Sequence, residues 1–97
     1  MLSLENIRTR LREVLPRLIA RYEVARLGIF GSYVRGEQRP DSDLDLLVDF
    51  REPIDLFAFV ELEHELSDLL GVKVDLVMDS ALKPKIGHRI RSEVVAV

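Results

Sequence analysis

Along the first part of the chain, Leu4, Ile7, Leu11, Val14, Leu18 and Tyr22 recur at intervals of three and four. That spacing puts them on one stripe of a helix, which begins near Ser3, a side chain suited to capping free N–H groups. Pro16 lies inside the pattern and predicts a kink, or a break with Pro16 in the first turn of a second short helix. The arginines on the other faces, Arg8, Arg10, Arg12, Arg17 and Arg21, read as solvated surface. The pattern then changes. Val24 to Phe30 is a short apolar run that predicts a strand, and Asp43 to Phe50 predicts a second. In a strand alternate side chains share a face, so Leu44, Leu46 and Val48 point one way and Asp43 and Asp45 the other. Between the two strands, Tyr33 to Arg35 can form a short helical turn, and Gly36, Pro40 and Asp41 mark a loop from Gly36 to Ser42.

Pro53 and Asp55 signal the start of a further helix, with Leu56, Phe59, Leu62, Leu66, Leu69 and Leu70 as its buried stripe and Gly71 as its end. The segment VKVDLVM, Val72 to Met78, predicts a third strand that places Lys73, Asp75 and Val77 on one face. Ala81 to Arg91 reads as a helix with Pro84 near its first turn and a basic cluster of Lys83, Lys85, His88, Arg89 and Arg91. Glu93 to Val97 is expected to form a short final strand or a frayed end. Strands and helices in alternation predict an α/β class, a small sheet backed by helices, and the length predicts one domain over residues 1–97.

Composition removes several alternatives. Of the 97 residues 47% are apolar and 32% charged, the balance of an ordinary globular chain. The net charge of −3 gives no general attraction to nucleic acid or anionic membranes, so direct nucleic-acid binding is not expected. The absence of cysteine excludes disulfides, a thiolate nucleophile and cysteine-ligated zinc. No apolar run approaches membrane-spanning length and no signal-peptide pattern opens the chain, so a cytoplasmic protein is expected. A Walker-type phosphate loop is missing, and Gly28, Gly31 and Gly36 do not make a dinucleotide fingerprint. His64-Glu65 begins like a zinc-protease pair, but Asp68 stands where the second histidine would be.

The chemistry gathers between Leu27 and Met78. Two carboxylates held as close as Asp43 and Asp45 repel each other unless a cation sits between them, which asks for a divalent metal. Gly31-Ser32, where a strand gives way to a helical turn, offers N–H groups and a hydroxyl that suit phosphate oxygens. Asp75, alone in an otherwise apolar strand, carries a desolvation cost unless something pairs with it. Asp49, well down the second strand, reads as solvent-facing or salt-bridged, and Ser42 as a partner of local backbone.

Gly-Ser, a loop of about ten residues, then Asp-x-Asp resembles the signature of the DNA polymerase β-like nucleotidyltransferases. The fuller text GSYVRGEQRPDSDLDLLV most resembles the minimal nucleotidyltransferase (MNT) branch, small proteins often paired with a HEPN-domain toxin, and ALKPKI near the C-terminus fits the same branch. The resemblance implies a mixed sheet, a third carboxylate on a neighbouring strand at Asp75, and metal held by Asp43, Asp45 and Asp75. It implies two Mg²⁺ ions, with ATP as substrate and Gly31 and Ser32 orienting its phosphates. Arg35-Gly36 matches the Arg-Gly that often follows Gly-Ser. Arg35 is a candidate contact for the triphosphate or for a carboxylate, and equally a structural residue; Gly36 shapes the loop.

The function so implied is transfer of a nucleoside monophosphate, AMP from ATP, to a hydroxyl, with release of pyrophosphate. By the same resemblance the acceptor is a tyrosine of a cognate HEPN toxin, which the modification silences. Two alternatives stand beside it. One is a non-catalytic antitoxin that masks its partner by contact through the Leu56 to Leu70 helix or the Lys83 to Arg91 segment. The other is a small-molecule nucleotidyltransferase, for which the chain lacks the additional domains that usually hold such substrates.

Overall fold

The computed structural model describes residues 2–97. Helix α1 (Leu4–Tyr22) starts where expected, with the Ser3 hydroxyl accepting from the Asn6 N–H at 3.1 Å. It runs unbroken through Pro16. Pro16 and Arg12 are both exposed, so water can reach the carbonyl that a proline four residues later leaves without a donor. Ile7, Leu11, Leu18 and Tyr22 are buried, with Leu4 and Val14 partly so. Strand β1 (Val24–Phe30) has the predicted bounds, and a four-residue helix α2 (Ser32–Arg35) follows it.

Strand β2 (Leu44–Phe50) lies at the centre, antiparallel to β1 and parallel to β3 (Val74–Met78). A two-residue strand β4 (Val95–Ala96) pairs antiparallel with β1, giving the sheet order β3-β2-β1-β4. A bulge between Val24 and Arg26 leaves Ala25 outside the β1–β2 pairing. Strand β3 begins two residues later than the periodicity predicts. Gly71 closes α3 (Leu56–Leu70) in the left-handed region at φ 70°, and the Ser67 hydroxyl accepts from the Val74 N–H at 3.0 Å. Val72 and Lys73 are therefore spent on leaving the helix.

One face of the sheet is covered. Leu27 and Ile29 of β1, Leu44, Leu46 and Val48 of β2, and Val74 and Leu76 of β3 meet Ile7, Leu11 and Leu18 of α1 and Leu62, Leu66 and Leu70 of α3. Fully burying one such side chain stabilises the fold by about 1.5–3 kcal/mol before conformational entropy is counted. Leu56 departs from its expected place in the stripe. It is the first residue of α3 and 73% exposed, and packing on that helix begins with Phe59, whose ring meets Phe50 edge-on at 6.4 Å. Asp55 caps α3, accepting from the Ala58 N–H at 2.8 Å. Tyr22 ties α1 to α3 by donating to Glu65 at 2.7 Å; burial, reinforced by that carboxylate, pushes its phenol well above the usual range. Arg17–Glu65 and Arg21–Glu61 join the same two helices at the surface, where such pairs contribute about 0–1 kcal/mol.

The opposite face carries Arg26, Gly28 and Phe30 on β1, Asp45, Leu47 and Asp49 on β2, and Asp75 and Val77 on β3. Helix α4 (Pro84–Glu93) opens with Pro84 at its first turn and is followed by Val94, which reaches over this face. A Cβ on Gly28 would lie 2.5 Å from Val94 Cγ2 and 3.3 Å from the Val95 carbonyl oxygen. The residue at 28 therefore sets how closely the α4–β4 end can approach β1. Gly28→Ala is expected to cost about 1–3 kcal/mol through overpacking, a fall in Tm of roughly 4–8 °C per kcal/mol. Adding Val94→Ala should return part of the loss. Thermal melts of the two variants check this, and equal Tm for Gly28→Ala and wild type would refute the close contact.

Candidate active site

At the end of β1 the chain makes a turn that only glycine fits. Gly31 has φ 84° and ψ −153°, a region essentially closed to side chains. The position a Cβ would take there lies 2.1 Å from Asp45 Oδ2. Two constraints coincide, since the backbone needs glycine and the carboxylate occupies the space of a side chain. The Gly31 carbonyl accepts from the N–H groups of Val34 and Arg35 at 3.1 and 3.2 Å, which starts α2. Ser32 and Tyr33 lie in the first turn, where N–H groups have no intrahelical partner. Gly36 ends α2 at φ 71°, so it shapes the loop as expected. The Ser42 hydroxyl accepts from the Arg39 N–H at 2.8 Å, and Asp49 is salt-bridged to Arg26 at 2.8 Å. His64 and His88 are exposed.

Sheet register brings the carboxylates together. Asp45 stands opposite Phe30 on β1 and opposite Asp75 on β3, so Asp45 and Asp75 share the open face on neighbouring strands. Asp43 immediately precedes β2 on that side, and its Oδ2 lies 3.8 Å from Lys73 Nζ. Asp75 is exposed. The desolvation cost expected for it is thus avoided by openness and not by a partner.

Asp45 is the half-buried member of the group. Burial, then repulsion from Asp75 and Asp43, raises its pKa from 3.8 to about 6, while Arg35 pulls the other way. Carboxylate oxygens are the ligands Mg²⁺ favours, and the unbalanced charge at Asp45 is what a cation would relieve, so the residues present fit a divalent ion. In this conformation Asp43 leans on Lys73 instead. Among the described residues no three histidine, aspartate or glutamate side chains close on a common metal position.

A fourth carboxylate joins the site from the far end of the chain. Glu93, the last residue of α4, accepts from the Gly31 N–H at 3.2 Å through Oε2 and from Arg35 Nη1 at 2.7 Å through Oε1. The Arg35 bond, aided by the Gly31 N–H and opposed by burial, holds the Glu93 carboxyl below the usual range. Arg35 also bonds Glu37 at 2.5 Å, so the carboxylate alternative anticipated for Arg35 is the one this conformation adopts. No spacing rule reaches Glu93 from Gly31 across 62 positions. Its only trace in the sequence is a lone acid closing a basic helix. Further along the open face lies a groove of about 340 Å³, lined by Gly28, Leu47, Asp49, Asp79, Arg91 and Val94.

The raised pKa of Asp45 has a stability consequence. Folding favours its protonated form, so ionisation costs stability above about pH 6, and the cost vanishes as pH falls toward 3.8. Asp45→Asn should therefore stabilise the metal-free protein at pH 7.5 by about 1 kcal/mol after solvent screening, a rise in Tm of about 4–8 °C. Near pH 4 the two proteins should melt together. Melts across pH check this, and a gain of the same size at both ends would contradict the assigned cause.

Known proteins share this fold. The nucleotidyltransferase domain family model matches residues 10–96. The chain is 50% identical over its full length to the protein adenylyltransferase MntA of Thermococcus cleftensis, covering 98% of that protein. A solved structure described as a minimal nucleotidyltransferase superposes with a TM-score of 0.84 at 42% identity, covering 99% of this chain and 97% of the other. The crystal structure of a toxin–antitoxin with AMP-PNP aligns at TM-score 0.72 and 26% identity, over 98% of this chain and 72% of that one. With the Gly31-Ser32 turn, the paired aspartates and the mixed sheet in these positions, the chain belongs to the nucleotidyltransferase domain family.

Proposed function

We propose that this protein is a Mg²⁺-dependent protein adenylyltransferase, transferring AMP from ATP to a tyrosine hydroxyl of a HEPN toxin and so acting as its antitoxin in the cytoplasm. The observation that carries the reading is the register of Asp45 with Asp75 beside the Gly31-Ser32 turn, which sets carboxylates next to a place for phosphate. The adenylyltransferase relative and the toxin–antitoxin complex with AMP-PNP support the nucleotide and the kind of partner.

In this mechanism Asp43, Asp45 and Asp75 would hold the metal, and the Ser32 hydroxyl and first-turn N–H groups would orient the triphosphate. Bound Mg²⁺ ions would neutralise charge on the phosphates. The acceptor oxygen attacks the α-phosphorus, the bond from that phosphorus to the bridging oxygen breaks, and pyrophosphate leaves. The acceptor proton passes to the Asp75 carboxylate, which is exposed on the open face and so reachable by another protein's side chain. One domain, residues 1–97, supplies all of these groups. Its open face does not enclose an acceptor, so the partner completes the site.

A masking antitoxin without chemistry has one observation in its favour. Leu56, Phe57 and Val60 expose apolar surface at the start of α3, with Phe57 88% exposed, and such groups suit a protein contact. The two readings separate by what they need from the aspartates. Wild type with Mg²⁺ and ATP should add AMP mass to the toxin, which should stay inactive after the proteins are parted. Asp43→Ala/Asp45→Ala should still bind the toxin yet fail to silence it at substoichiometric amounts, and Asp75→Asn should lower turnover by about 100-fold or more with little change in ATP affinity. Intact mass and toxin activity decide: protection by the double variant equal to wild type, with no mass added, leaves masking as the function.

Gly31→Ala provides a separate check. The added methyl group must displace the Asp45 carboxylate, so Mg²⁺·ATP affinity should fall by about tenfold or more even where the variant folds. Calorimetry with Mg²⁺·ATP measures it, and unchanged affinity would detach the turn from the nucleotide site.

A further inference from the structure

Glu93 uses its two oxygens on opposite ends of α2. Oε2 takes the N–H of Gly31, the residue that caps the helix, and Oε1 takes the guanidinium of Arg35, its last residue. A helix of four residues does not persist unaided, because nucleation costs more than so few bonds return. Something outside α2 must fix it. The Glu93 side chain is 22% exposed, and its backbone is held by the adjoining C-terminal residues: Val94 rests on Gly28, Val95 pairs with Ile29, and Ala96 pairs with Gly28. The carboxylate is thus delivered by a braced segment and is itself shared between two donors, one of them charged.

We propose that Glu93 is the positioning residue of the transfer site, fixing Gly31 and Arg35 so that the Asp45 carboxylate and the Ser32 groups keep the spacing that a metal–triphosphate requires. The path is short and physical. Glu93 holds the Gly31 N–H, the Gly31 carbonyl starts α2, and the Gly31 α-carbon abuts the Asp45 carboxylate. A second consequence concerns the turn itself. The Gly31 N–H is turned toward Glu93 and is spent there, so Gly31 serves the site by its shape while Ser32 supplies the contact to phosphate. Arg35, held by Glu93 and Glu37, braces the turn from its other end. Glu93 touches no substrate in this scheme and acts through Gly31 and Arg35.

This assignment rests on the nucleotidyl-transfer reading above, and the test keeps the two apart. Amide hydrogen exchange at Gly31 is measured in wild type, Glu93→Ala and Glu93→Gln, with Mg²⁺·ATP affinity and AMP transfer to the partner measured alongside. Tyr22→Phe, which removes the bond from Tyr22 to Glu65 between α1 and α3, serves as a control for lost stability alone. Glu93→Ala should speed Gly31 exchange about tenfold or more while leaving the central β2 amides protected. It should weaken Mg²⁺·ATP binding about tenfold and lower turnover by about 10–100-fold. Glu93→Gln keeps one acceptor oxygen and should fall between Glu93→Ala and wild type. Tyr22→Phe, compared at temperatures where each variant is folded, should retain wild-type turnover. Unchanged Gly31 exchange in Glu93→Ala overturns the contact. Faster exchange with unchanged Mg²⁺·ATP affinity overturns the positioning role, as does a turnover loss matched by Tyr22→Phe. If wild type transfers nothing, the transfer reading fails, while exchange and Mg²⁺·ATP affinity still decide what Glu93 does.

Discussion

The arrangement of this molecule depends on a contact in which the α-carbon of Gly31 lies against the carboxylate of Asp45, with no room for a side chain between them. The antiparallel pairing of β1 with β2 places Phe30 opposite Asp45, so the turn after Phe30 must pass over that carboxylate. Every group of the site is then placed by position relative to this pair. Ser32 follows the turn, Asp75 stands in register on the next strand, and Asp43 precedes by one alternation. Distances in such a site are fixed by the strand spacing, which is far less adjustable than side-chain rotamers.

Covering one face and leaving the other open divides the work between them. The covered face takes almost all of the aliphatic side chains of β2, and the open face takes its charges. The cost of that division falls on Asp45, which is close enough to the core to be partly desolvated and close enough to Asp43 and Asp75 to be repelled. A cation placed among these carboxylates would offset their repulsion, and the low local dielectric that penalises Asp45 alone would strengthen its attraction to that charge.

Much of this was legible in the sequence because local rules governed it. The bounds of β1 and the capping of α1 by Ser3 and of α3 by Asp55 follow from periodicity and side-chain chemistry alone, whereas β2 begins at Leu44, one residue later than Asp43. Long-range placement was not legible in the same way. Alternation says which way Asp75 points along its own strand, but that β3 is the parallel neighbour of β2 is a matter of topology, anticipated only through the family resemblance. Leu56 fits the helical stripe by spacing yet sits at the helix end beyond the packed core. Pro16 obeys a rule about donors that an exposed helix side relaxes. Glu93 reaches the site through a helix and a two-residue strand, neither of which announces its destination.

The bulge at Ala25 bears on how this chain can change in length. It sits at the end of the β1–β2 ladder away from Gly31 and already takes up one unpaired residue between Val24 and Arg26. A residue gained or lost there alters how α1 feeds into the sheet while Gly28, Ile29 and Phe30 stay opposite Leu47, Leu46 and Asp45. The same change inside β2 would reverse every side chain beyond it, sending carboxylates to the core and leucines to water. The reading frame of the ladder is therefore forgiving at one end and unforgiving at the other. Insertions and deletions in related chains have room before Arg26 and in the loop from Gly36 to Ser42, and almost none between.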